Sequence, residues 1–147
     1  MFNKILVVCI GNICRSPLGE ALLTDLLPNK QIASAGIMVE SSGLAGNSAD
    51  PSSQLVALEE GLDLANHQAQ QLTKELCDEY DLILVMESGH IDLVAELVPT
   101  ARSKTLLFGQ WSGDATIADP HRKEMPAFQF AYQRIYRAAH AWANKLR

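Results

Sequence analysis

Two stretches of the chain are apolar almost without interruption, KILVVC over residues 4–9 and DLILVM over residues 81–86. A strand covered on both faces reads this way, whereas a half-exposed strand alternates apolar and polar positions. The first is therefore expected to be the central strand of a parallel sheet, and the second another buried strand of the same type. Leu18, Ala21, Leu22 and Leu26 then recur at steps of three and four, which predicts a helix directly after the first strand and a short loop. Ser16 followed by Pro17 reads as its N-cap and first helical residue.

Further along, Gln31–Gly36 reads as a second strand, and the Gly-, Ser-, Asn- and Asp-rich segment 38–51 as a surface loop. A helix is predicted from Pro51 to near Gly61, and a shorter one over Thr73–Tyr80. Helix His90–Val98, strand Lys104–Leu107 and a long loop over 108–125 follow. Phe128, Ala131, Tyr132, Ile135, Ala139, Trp142 and Leu146 then mark one face of a closing amphipathic helix. Strands alternating with helices predict a doubly wound α/β fold, a four-stranded parallel sheet with helices on both faces.

The chain has 147 residues, 12 Lys and Arg against 17 Asp and Glu, and a net charge of −5. This is the composition of one globular domain, expected to span residues 1–147 and to act as a monomer. A chain of this size buries roughly 68–70% of its unfolded surface, enough for a core without disulfides. Cys9, Cys14 and Cys77 are an odd count with no export signal before them, which predicts free thiols in the cytoplasm. The acidic balance argues against nucleic-acid binding, and no apolar run reaches the roughly 20 residues of a membrane span. An anionic ligand would have to be held by a local field.

The loop after the first strand supplies such a field. In doubly wound sheets ligands bind beyond the carboxyl ends of the strands, where strand order reverses, and Cys9 closes the first strand. Gly11 and Asn12 tolerate the left-handed conformations that gather successive N–H groups into an anion nest. The backbone of Ile10, Gly11, Asn12, Ile13 and Cys14, with Ser16, is the expected phosphate-binding loop. Arg15 follows Cys9 by six positions and offers a planar fork that matches two phosphate oxygens. Nest, helix N-terminus and guanidinium together favour Cys9 as a thiolate, a nucleophile for phosphate esters. The C-x5-R-[ST] spacing after a buried strand outweighs the reading of Cys9 as a small core residue. No G-K-[ST] follows the glycine, so this is not a nucleotide-binding loop of that type.

Displacing a tyrosine oxygen requires a proton donor, because the free phenol titrates only near 10. Asp119, ahead of Pro120 in the long Gly-, Ser- and Pro-containing loop, is the candidate acid. Asp114 competes with it but reads as an exposed turn residue beside Gly113.

The segment VVCIGNICRSP with a late Asp-Pro resembles the low-molecular-weight protein-tyrosine phosphatases over nearly the whole chain. The strings SAG at 34–36, YDLILVME at 80–87, LFGQW at 107–111 and DPHRK at 119–123 resemble the bacterial branch that works beside tyrosine autokinases of capsule and exopolysaccharide assembly. The resemblance implies Cys9 as nucleophile, Arg15 as phosphate clamp, Asp119 as acid and then base, and no cofactor or metal. It implies Asn12, Ser16, Ser34 and His67 as supports of the loop, and Cys14 as the thiol that traps oxidised Cys9 in a disulfide. The implied partner is a phosphotyrosine protein, a membrane tyrosine autokinase.

Three departures stand out. His121 and Arg122 follow Asp119-Pro120 where many members place an aromatic, and Gln70 stands where many carry Arg. The loop 37–48 is long, and Met38, Val39 and Leu44 are candidates for the missing apolar wall. Rival readings are a thioredoxin-coupled arsenate reductase, which needs two further cysteines downstream, and a non-catalytic phosphotyrosine-binding module. A zinc site from Cys9, Cys14, Cys77 and a histidine has poor ligand spacing.

Overall fold

The computed structural model describes residues 2–147. Its strands are β1 (Lys4–Cys9), β2 (Gln31–Gly36), β3 (Leu82–Val85) and β4 (Thr105–Leu107), all parallel in the order β2-β1-β3-β4. The helices are α1 (Arg15–Leu26), α2 (Pro51–Glu59), α3 (Lys74–Glu79), α4 (Ser88–Leu97) and α5 (Met125–Leu146). The short turn of 3₁₀ helix at Pro99–Lys104, ahead of β4, is an element that the sequence pattern does not suggest.

Alternate residues of the inner strands go to opposite faces, which is why those strands read as unbroken apolar runs. Ile5, Val7, Cys9, Leu82, Leu84 and Met86 pack with α1, α2 and α5. Leu6, Val8, Ile83 and Val85 pack with α3, α4 and the 3₁₀ turn that follows α4. Phe128, Tyr132, Ile135, Ala139 and Trp142 are buried as the closing helix predicts. Cys77 lies on the second face, across the sheet from Cys9 and Cys14, so a zinc site joining all three is ruled out by the topology.

The order reverses at β1: the chain leaves β1 through α1 to β2 on one side and later returns to β3 on the other. The β1–α1 loop sits at that switch point, as the fold rule requires. It is pressed against the end of β2. A Cβ on Gly36 would lie 2.6 Å from the Ile10 carbonyl and 2.9 Å from the Asn12 nitrogen, so only glycine allows this approach.

Helix α1 begins two residues earlier than its proline suggests. Its N-cap is Cys14, and Ser16 and Pro17 both lie in the first turn. The first turn needs no N–H donors, so Pro17 is accommodated without marking the first helical position. Ser16 is therefore not a cap, and its hydroxyl is free for another use. Among the described residues no helix is long and apolar enough to cross a membrane.

Candidate active site

The carbonyls of Cys9, Ile10, Asn12, Ile13 and Cys14 are tied to donors outside the β1–α1 loop. Cys9 and Ile10 accept from the N–H groups of Ile37 and Met38 at 3.0 and 2.9 Å, and Ile13 accepts from that of Asp50 at 2.8 Å. The Asn12 carbonyl accepts from His67 Nε2 at 2.6 Å, and that of Cys14 from Ser53 Oγ at 3.2 Å. Among the described residues no backbone N–H from Gly11 to Cys14 donates to a protein acceptor. Donors on the inside of a curled loop, with acceptors tied down outside, make an anion cradle. Of the two residues expected to turn left-handed only Asn12 does so, with φ 57°. Gly11 matters for clearance instead, since a Cβ there would meet Leu44 Cδ1 at 3.0 Å.

Asn12, fully buried, organises the side chains beneath the cradle. Its amide donates one hydrogen to Ser16 Oγ at 2.7 Å and the other to Ser34 Oγ at 3.0 Å, while its Oδ1 accepts from the Gln70 N–H at 2.9 Å. Ser34 passes its own hydrogen to Glu20 Oε1 at 2.5 Å. Ser16 Oγ, already an acceptor, then has its hydrogen to give to Cys9 Sγ at 3.0 Å. That hydrogen bond fixes the position of the sulfur at the mouth of the cradle.

Arg15 is 1% exposed, an extreme position for a cation, and its partners explain how it is held. Nη1 donates to Glu87 Oε2 at 3.0 Å and to the Ile117 carbonyl at 2.8 Å, and Nη2 faces Asp119 Oδ2 at 3.7 Å. Nε is buried with no partner within the chain. The guanidinium is thus fixed along one edge and keeps a donor for a ligand in the cleft that it lines with Cys9 and Asp119.

Asp119 lies at the rim, 45% exposed, with its Oδ1 accepting from the His121 N–H at 3.0 Å. Asp114 departs from the exposed turn that its neighbour glycine suggests. It is 5% exposed, salt-bridged by Arg134 and Arg137 of α5, and does not line the cleft. Desolvation pushes its carboxyl upward, but the hydrogen bond from Arg134 and the charges of Arg137 and Arg134 outweigh it and hold it below the usual carboxylate range. The apolar wall is also corrected. Leu44 lines the cleft, whereas Val39 is wholly buried in the core and Met38 points to solvent.

Cys14 lines the same cleft, and burial, followed by the charges of Asp50, Cys9 and Asp119, keeps its thiol protonated against the pull of Arg15. Ser34 and His67 both reach the loop, the first through the Asn12 amide and the second through the Asn12 carbonyl. Glu87, Glu20 and Gln70 also support the loop, though the sequence reading gives them no such role. For Glu87 a signal exists: it follows the buried DLILVM run at the carboxyl end of the strand beside β1. Glu20 lies one helical turn beyond Ser16, on the same face.

The family described as low molecular weight phosphotyrosine protein phosphatase matches residues 4–147. The chain is 51% identical to the probable low molecular weight protein-tyrosine-phosphatase AmsI of Erwinia amylovora, with 99% of each chain covered. Among solved structures it is similar to Vibrio vulnificus Wzb in complex with benzylphosphonate, with a TM-score of 0.98 and 57% identity over 99% of this chain and 100% of that one. It is also similar to the tyrosine phosphatase Wzb from Escherichia coli K30 in complex with sulphate, at a TM-score of 0.94 and 46% identity with both chains fully covered (100% each). Sequence and architecture agree over the same span, and the chain belongs to the low molecular weight phosphotyrosine protein phosphatases.

Proposed function

We propose that this protein-tyrosine phosphatase works through a phosphocysteine on Cys9. The observation that carries the reading is the Arg15 guanidinium, buried beside Cys9 and fixed by Glu87 and Ile117, with Nε left without a partner in the chain. A buried unpartnered donor is costly, and a dianionic phosphoryl group in the cradle would satisfy it.

The Cys9 thiolate attacks phosphorus while the bond to the tyrosine oxygen breaks, and Asp119 gives that oxygen its proton. The N–H groups of the loop and Arg15 take up the charge on the equatorial oxygens. Asp119, now a carboxylate, accepts a proton from water as water attacks the phosphocysteine, and phosphate leaves with the Cys9 thiolate restored. The loop backbone from Ile10 to Cys14 binds the phosphoryl group, and Ser16, Asn12, Ser34 and His67 hold sulfur and loop in register.

The substrate is a phosphotyrosine protein in the cytoplasm, a membrane tyrosine autokinase of capsule or exopolysaccharide assembly. Support comes from the strings shared with that branch and from the likeness to a Wzb holding benzylphosphonate, an anion with the shape of a phosphotyrosine side chain. The arsenate reductase reading finds no support, because Cys77 is the sole downstream cysteine and lies across the sheet. The test is turnover of an aryl phosphate and of the autophosphorylated kinase in the presence of a chelator. Both should proceed and be blocked by vanadate; an enzyme inert toward both, or one reducing arsenate with thioredoxin, would overturn the reading.

A further inference from the structure

His121, which stands where the family motif places an aromatic, brings an imidazole to the mouth of the cleft. Its Nδ1 lies 3.8 Å from Cys14 Sγ and 3.9 Å from Asp50 Oδ2, and the three ligand atoms all fall within 4.8 Å of one another. The three residues come from separate segments: the β1–α1 loop, the N-cap of α2, and the loop ahead of α5. We propose that Cys14, Asp50 and His121 form a zinc site that inhibits the enzyme.

The donor set selects the metal. Sulfur, imidazole nitrogen and one carboxylate oxygen suit zinc, whereas magnesium and calcium call for oxygen alone. Tetrahedral zinc, with Zn–S of about 2.3 Å and Zn–N of about 2.0 Å, holds its ligands roughly 3.3–3.6 Å apart. The two histidine edges are within about half an ångström of that spacing. Three protein ligands leave the fourth position to water.

The surroundings prepare these ligands. The other oxygen of Asp50 accepts from the Ser52 N–H at 2.8 Å, which orients the carboxylate, and the backbone of Asp50 is tied to Ile13. Cys14 is buried while His121 is exposed at the rim, so an ion reaches the sulfur past the imidazole. Asp50, Asp119 and Cys9, whose charges oppose a thiolate at Cys14, favour a dication in the same place. Coordination then displaces the thiol proton to solvent. Because the His121 N–H is bonded to Asp119, a metal on His121 pins the acid's segment to the phosphate loop. Only this inhibitory consequence rests on the phosphatase reading; the binding itself does not.

The test uses cobalt(II), a spectroscopic stand-in for zinc, titrated into the Cys9→Ser protein so that the nucleophile cannot serve as ligand. We expect a thiolate-to-metal charge-transfer band with tetrahedral d–d bands, displaced by one equivalent of zinc. In the same background His121→Gln and Asp50→Ser, the latter retaining a capping hydroxyl for α2, should each weaken cobalt binding by at least about tenfold. No charge-transfer band, or full affinity retained in His121→Gln, would overturn the site. Zinc should also inhibit wild-type turnover of an aryl phosphate reversibly, and His121→Gln should resist zinc relative to its own metal-free rate. Tight binding without inhibition would refute the inhibitory role, and cobalt binding by Cys9→Ser alongside a metal-free wild type that hydrolyses no aryl phosphate would refute the catalytic reading alone.

Discussion

Ser16 Oγ lies 3.0 Å from Cys9 Sγ and has only that direction left for its hydrogen, because it already accepts from Asn12 Nδ2 at 2.7 Å. The orientation is imposed from the far end of the chain of bonds. The Glu20 carboxylate can only accept, so Ser34 must donate to it, which makes Ser34 an acceptor for Asn12. Ser16→Ala, and separately Asn12→Ala, should lower kcat by roughly tenfold to a hundredfold, the scale of a lost hydrogen bond to a charged group. The loss should be alike for leaving groups of high and low pKa, since it falls on the attacking sulfur and not on the proton donor. An unchanged kcat would reduce Ser16 to a packing role.

Asp119→Asn should cost roughly 10²–10⁴ in kcat with phosphotyrosine, the usual scale of general acid catalysis. With a phenol of low pKa as leaving group the loss should shrink, because that oxygen departs without a proton. Parallel losses across a leaving-group series would show that Asp119 only shapes the loop.

Asp114 should matter to stability and not to proton transfer. Asp114→Asn removes the anion between Arg134 and Arg137, for a loss of roughly 1.5–3 kcal/mol, toward the low end because both arginines remain partly in water. Its carboxyl is held below the usual range in the fold, so its contribution is full above about 4, the unfolded value, and fades as pH falls through the folded value. The gap in Tm between wild type and Asp114→Asn should therefore narrow on acidification below about pH 4, with kcat near wild type at neutral pH. A leaving-group-dependent loss of kcat would instead make Asp114 the acid.

The two inner strands were legible because strands covered on both faces leave no polar position to confuse the reading. The pairing of Cys9 with Arg15 was legible because both lie in one short loop whose spacing sets their relation. What sequence hid came from other segments. Glu87 reaches Arg15 across 72 positions and Gln70 reaches Asn12 across 58, and local spacing says nothing about such pairs. Ser16 looked like a cap because proline is equally at home anywhere in a helix's first turn. Asp114 looked exposed because its turn signal is local, whereas the two arginines that bury it come from α5, 20 and 23 positions away.

Cys14 and Cys9 line one cleft, and both are free thiols. After a peroxide pulse the Cys9 sulfenic acid should condense with the Cys14 thiol, releasing water and forming a disulfide that thiol reductant reopens. Cys14→Ser should keep most activity but recover far less of it after peroxide and reductant. Cys77→Ser, on the other face of the sheet, should recover like wild type. Full recovery by Cys14→Ser would remove the protective role.

The account's central claim is that phosphate passes through sulfur at Cys9. Rapid acid quench of the wild-type enzyme during turnover of an aryl phosphate, followed by peptide mass spectrometry, tests it most directly. The account predicts one added phosphoryl group, confined to the peptide holding Cys9 and absent from Cys9→Ser, which still binds phosphate esters but does not turn them over. Steady turnover with no phosphorylated peptide, or with the phosphoryl group on another residue, would contradict it.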